Sequence, residues 1–200
     1  MVIAVSTLLF QKGDQILLAN MTDQFTVGVY SSAVRTIEMV TMFFGLTIQS
    51  LFPAIVNAKF LNQELFIKRF VLLSRVLILS SLIIACFVSF FSQEIILLLF
   101  GEKFLSAQIV LTILSFNIVF ATMSLISYRW YIVENLQHVM MIKVILLATF
   151  NIGLNFYLVP RMGIKGAALS SLISHFIFFF LFELFMKKTR QCFKINCLIG

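Results

Sequence analysis

Six apolar runs, each long enough to cross a bilayer, leave this sequence few folds to choose from. They cover residues 2–20, 27–52, 71–91, 109–130, 140–160 and 164–186. A hydrocarbon core about 30 Å thick needs about 20 helical residues to cross it. In lipid every backbone amide must find a partner within the protein, which leaves helices or a closed barrel. The alternating pattern of a barrel strand is absent throughout, so the runs are predicted to be helices. With 61% hydrophobic residues and 12% charged over 200 residues, a soluble domain could not cover its own surface. The expected fold class is all-α: a polytopic membrane protein with a six-transmembrane-helix lobe over 1–186, then a basic cytoplasmic tail over 187–200. The first ten residues lack a basic n-region and a small-residue cleavage site, so they read as the start of a span rather than as a signal peptide.

A net charge of +7 does not make this a nucleic-acid binder, because the basic residues sit in short clusters between apolar runs rather than on one solvated face. Lys59, Lys68, Arg69, Arg75, Arg129, Lys143, Lys187, Lys188, Arg190 and Lys194 fall on one side. Only Lys103, Arg161 and Lys165 fall on the other. That bias predicts a plasma-membrane protein with both termini cytoplasmic. Tyr128, Trp130 and Tyr131 around Arg129 are expected to form an aromatic belt with a snorkelling cation. Pro53 and Pro160 are placed at span ends, and Gly101 in a turn outside the bilayer. Cys86, Cys192 and Cys197 match no zinc spacing, and His138 and His175 stand apart, so no metal, cofactor or enzymatic activity is expected.

Ionisable residues at membrane depth cost several kcal/mol unless paired or hydrated, which makes each a functional candidate. The first span carries Lys12 and Asp14, the second Arg35 and Glu38. On the second span Ser31, Arg35, Glu38, Met42, Gly45 and Gln49 share one stripe, which should face protein or water. Asp14 lies about 9 Å and Arg35 about 12 Å below the outer ends of their helices. Two readings stand: a structural ion pair joining neighbouring helices, or a hydrated cavity in which a cation meets an anionic substrate and a carboxylate carries a proton or sodium. Asn117, Ser124 and Tyr128 share a face of the fourth span, and Asn151 and Asn155 one of the fifth. Helix–helix hydrogen bonding accounts for these. Gly166, Ser170 and Ser174 form a small-residue seam for close packing. His175 reads as a hydrogen-bonded filler, and Glu183 as a partner for Lys187.

The stretch Asp14-Gln15-Ile16-Leu17-Leu18, followed by Val27-Gly28-Val29-Tyr30-Ser31-Ser32-Ala33-Val34-Arg35, resembles the start of the second half of polysaccharide-unit flippases. These are the O-antigen, Wzx-like branch of the multidrug, oligosaccharidyl-lipid and polysaccharide exporter superfamily. Gln49-Ser50-Leu51-Phe52-Pro53, Leu99-Phe100-Gly101-Glu102-Lys103-Phe104 and Asn151-Ile152-Gly153-Leu154-Asn155, running on to Pro160 through Ala168, extend the resemblance over nearly the whole chain. It implies one six-helix lobe of a twelve-helix flippase that moves undecaprenyl-diphosphate-linked sugars across the bacterial inner membrane by alternating access. Lys12 and Arg35 would meet the diphosphate, Asp14 and Glu38 would couple an ion, and Gln49, Asn117, Asn151 and Asn155 would be secondary cavity or packing positions. A single lobe encloses no cavity. The resemblance therefore asks for a truncated reading frame, a missing N-terminal lobe on a separate chain, or a second copy. The competing expectations are a drug or small-cation exporter, which Lys12 and Arg35 would disfavour by repulsion, and a non-transporting membrane scaffold. The sequence alone ranks Arg35 above Arg129 as the cavity cation.

Overall fold

The computed structural model describes residues 13–182, without the side chains of residues 60, 61 and 181. Lys12, Glu183 and the basic tail lie outside that range. The described residues form helices α1 (residues 13–21), α2 (Gln24–Leu61), α3 (Gln63–Phe90), α4 (Ser92–Phe100), a 3-10 turn (Glu102–Phe104), α5 (Ala107–Ser115), α6 (Asn117–Val133), α7 (Gln137–Met162) and α8 (Ile164–Phe176). A π-helical turn, Ile177–Leu181, continues α8. No strand occurs among the described residues. Three helices are long and apolar enough to cross a membrane: α2, α3 and α7. α5 and α6 together make a fourth if their 42° bend is taken within one span. The chain is therefore an all-helical membrane protein with three to four candidate spans in its described part.

Side-chain caps set boundaries that apolar patterning missed. Asp23 accepts from the Thr26 amide at 3.0 Å and from the Thr26 hydroxyl at 2.6 Å, so α2 starts at Gln24 rather than at 27. Its end also moves. Pro53 lies inside α2 and does not stop it; the helix runs on to an extended Asn62, whose carboxamide accepts from the Glu64 amide at 2.7 Å and opens α3. One asparagine thus closes one helix and caps the next. Lys68, Arg69 and Arg75 consequently lie on α3 rather than in a connection. Pro160 likewise falls within α7, in its last turn.

Short links at Asn62 and Gly163 make α2/α3 and α7/α8 helical hairpins, and the bent α5–α6 unit packs between them. The aromatic belt expected around Arg129 is not there. Trp130 and Tyr131 are buried, with Trp130 packed on Phe66 and Phe70 at ring-centroid distances of 5.9 and 5.3 Å. These rings hold α6 on α3, and core packing outcompetes an interfacial position because it buries the whole ring. Nearby, Lys59 of α2 reaches Glu134 at 2.9 Å and the Val133 carbonyl at 3.2 Å, tying two helix ends on one side of the bundle.

The small-residue seam is buried between α7 and α8. A Cβ at Gly166 would stand 2.4 Å from the Leu158 carbonyl oxygen, a backbone atom that cannot move aside. Gly153, on the exposed face of α7, has nothing within 4 Å of such an atom. Gly166→Ala is therefore expected to destabilise the bundle by about 1–3 kcal/mol. Gly153→Ala should stabilise it by about 0.5–1 kcal/mol, because a mid-helix glycine loses more chain entropy. Thermal midpoints of both variants in detergent should move in opposite directions from the parent's.

Candidate functional site

The site is organised by Asp14, which is 6% exposed. Tyr30 of α2 donates its hydroxyl to Oδ2 at 2.8 Å, and Asn155 of α7 donates Nδ2 to Oδ1 at 2.6 Å. The Ser171 hydroxyl of α8 also donates to Oδ2. Donors from three helices thus converge on both carboxylate oxygens, an arrangement that satisfies an ionised group at depth. Asn155 is itself fixed, donating to the Asn151 carbonyl and side-chain oxygens at 3.0 and 3.1 Å and accepting from Ser170 at 2.7 Å. Asn155 thus ties α7 to α1 and α8, whereas Asn151 bonds within α7 and keeps its Nδ2 buried without a hydrogen-bond partner.

Next to this cluster a cavity of about 860 Å³ runs along α2. Its wall on α2 extends from Tyr30 to Gln49, about 28 Å at 1.5 Å per residue, close to the depth of the hydrocarbon. Glu38, Met42, Gly45 and Gln49, four members of the predicted stripe, face it. Asn117, Ser124 and Arg129 line it from α6, His175 and Ser171 from α8, and Asp14 from α1. Met42 is 63% exposed while lining it, so the cavity is a trough open along one side.

The four charges singled out in the sequence separate. Asp14 and Glu38 line the trough. Arg35 is exposed and outside the lining, and neither Asp14 nor Glu38 forms an ion pair with it among the described residues. Lys12 lies outside the described residues. Arg129, expected to snorkel at the interface, stands in the wall instead, its guanidinium 5.2 Å from the Phe52 ring centre and 5.9 Å from that of Tyr128. The 42° bend between α5 and α6 turns this face of α6 inward. Lys143, counted as a flanking charge, is fully buried on α7. Its ammonium sits 4.2 Å from the Phe179 ring centre, with Tyr131 at 5.7 Å and Phe182 at 5.9 Å, where ring faces replace part of its hydration.

His175 keeps a ring nitrogen 2.9 Å from the Ser171 carbonyl. Tyr30, Ser171 and Arg129 were missed as site residues. Ser171 had a signal in the doubled Ser170-Ser171, of which one member faces the seam and its neighbour must face elsewhere. Among the described residues no group of His, Cys, Asp and Glu is placed to hold a metal ion. Tyr30→Phe removes one of three donors from a buried carboxylate and should lower stability by about 1.5–3 kcal/mol. Denaturant unfolding in mixed micelles, with the exposed Tyr157→Phe as reference, measures it.

A family model described as "Polysaccharide biosynthesis protein" matches residues 1–109, more than half of the chain, which among the described residues takes in α1 through the first turn of α5. An uncharacterized membrane protein of Methanocaldococcus jannaschii is 34% identical over 96 residues, which are 47% of this chain and 18% of that relative. The chain thus spans about a fifth of the length of the curated relative it matches. No solved structure matches.

Proposed function

This chain belongs to the polysaccharide biosynthesis protein family, and from that premise we propose that it translocates lipid-linked saccharide units across the bacterial inner membrane as one half of a transporter. The observation that carries the reading is the trough: about as long as the hydrocarbon is thick, mostly apolar but set with Asp14, Glu38, Gln49, Asn117, Ser124 and Arg129, and bounded by helices that short links and hydrogen-bonded side chains hold in place. A lipid-linked saccharide needs such a path, because its sugar hydroxyls and diphosphate cannot cross hydrocarbon without replacement partners.

In this reading a first span through residues 2–20 and a sixth through 164–186 complete a six-helix lobe. A second lobe, from a longer chain, a partner protein or a second copy, closes the open side of the trough and rocks against it. The termini are cytoplasmic. The charge bias survives without Arg129 and Lys143, since Lys59, Lys68, Arg69, Arg75, Lys187, Lys188, Arg190 and Lys194 still oppose Lys103, Arg161 and Lys165. Arg129 meets the diphosphate, and its fixed fork suits phosphate oxygens. Asp14 couples an ion: a proton or small cation arriving there would compete with Tyr30, Ser171 and Asn155 for its oxygens and so alter the junction of α1, α2, α7 and α8. The chain itself makes and breaks no covalent bond in this reading.

A second reading has its own observation. Two acidic side chains, Asp14 and Glu38, line the wall, and a cationic cargo would be drawn to such groups. The two are separated by expression in a flippase-null strain, alone and with the gene upstream. Recovery of surface polysaccharide supports the saccharide reading. Failure of both combinations, with inserted protein and restored efflux of a lipophilic cation, supports the exporter and ends the first. Within the saccharide reading, Arg129→Ala should reduce recovered polysaccharide about tenfold or more, because a charge-assisted contact contributes about 1.5–3 kcal/mol. Arg35→Ala, at matched protein level, should change it by less than about twofold. The reverse order would remove Arg129 from the substrate path.

A further inference from the structure

From the polar groups that the fold leaves without partners, we infer that the inner face of α6, from Asn117 to Arg129, is the strip that binds the saccharide itself. The inference rests on the saccharide reading above and assigns it a recognition surface. Asn117 opens α6 at the 42° bend, lines the trough, and is 6% exposed. Its carboxamide oxygen is buried with no hydrogen-bond partner. Ser124, two turns on along the same face, also lines the trough, and its hydroxyl makes no hydrogen bond among the described residues. Several other helix hydroxyls return to their own backbone: Thr122 to Ile118, Thr41 to Ile37 and Ser115 to Thr112. Asn155, the buried asparagine of the Asp14 cluster, bonds through both ends of its amide.

Leaving a buried polar atom unpaired is costly, so the Asn117 oxygen, with the half-buried Ser124 hydroxyl on the same cavity wall, is placed for a ligand. Both side chains present a donor and an acceptor, the complement of vicinal sugar hydroxyls or an N-acetyl group. Ala121 between them leaves room for a ring, and Leu125 offers an apolar edge. Arg129 stands about 18 Å along the helix from Asn117, which puts the phosphate site at one end of the strip and the sugar sites at the other.

The test uses the full chain in lipid nanodiscs with two probes, farnesyl diphosphate and farnesyl-diphosphate-linked N-acetylglucosamine, their dissociation constants read by calorimetry. The parent should bind the sugar-bearing probe more tightly. Asn117→Leu and Ser124→Ala should each weaken that probe about three- to tenfold, the effect of one hydrogen-bonding partner, and leave farnesyl diphosphate unchanged. Without ligand, neither variant should melt below the parent, because no protein hydrogen bond is lost. A parent that binds both probes equally, or variants that bind the sugar-bearing probe as the parent does, overturns the strip and leaves the transport reading standing. A parent that binds neither probe overturns both.

Discussion

A carboxyl group buried where four helices of a membrane bundle meet sets the terms for the rest of this structure. A buried carboxyl group is tolerated only where hydrogen-bond partners replace water, and for Asp14 they come from Tyr30 on α2, Asn155 on α7 and Ser171 on α8. Those helices are far apart in sequence, so the hydrogen bonds fix the α7/α8 hairpin against the start of α2 at one depth. Close approach at Gly166 makes this possible, since α8 can bring Ser170 and Ser171 toward Asn155 and Asp14 only if nothing larger than hydrogen stands against Leu158.

The polar groups of the bundle fall into two populations with different energetics. Around Asp14, the side chains of Tyr30, Asn155, Ser170 and Ser171 are bonded to one another, to the carboxylate or to backbone, which rigidifies the junction and commits those groups to the fold. On α6, the Asn117 amide oxygen and the Ser124 hydroxyl lack protein partners and face the trough. The first population holds helices and the second waits for a visitor. Lys143 follows a third course, with its ammonium set among aromatic faces beneath the cavity wall, so that a cation at depth need not be a cation in the path.

The helical, membrane-embedded character was legible in the sequence because apolar length is a direct measure of membrane-crossing capacity. Helix ends were less legible. Asn62 and Asp23 cap helices through one hydrogen bond each, a local signal that hydropathy averages away, and Pro53 did not stop a helix that continues through it. The glycine-serine seam was legible because small residues at a spacing of four have few uses in a membrane helix other than close packing.

By itself the sequence determined that the chain inserts as helices, that one face of α2 is polar, and that Asp14 and Glu38 demand partners or water. These follow from composition and period, which survive any arrangement of the helices. Tertiary structure decided which charges share a space. It put Arg129 in the wall and Arg35 outside it, sent Trp130 into the core, and paired Asp14 with neutral donors rather than with a cation. Rotation of a helix about its axis by one residue, about 100°, exchanges cavity for lipid. That angle is fixed by contacts between helices distant in the chain, such as Asp14 with Asn155 and Phe66 with Trp130, and no single segment contains it.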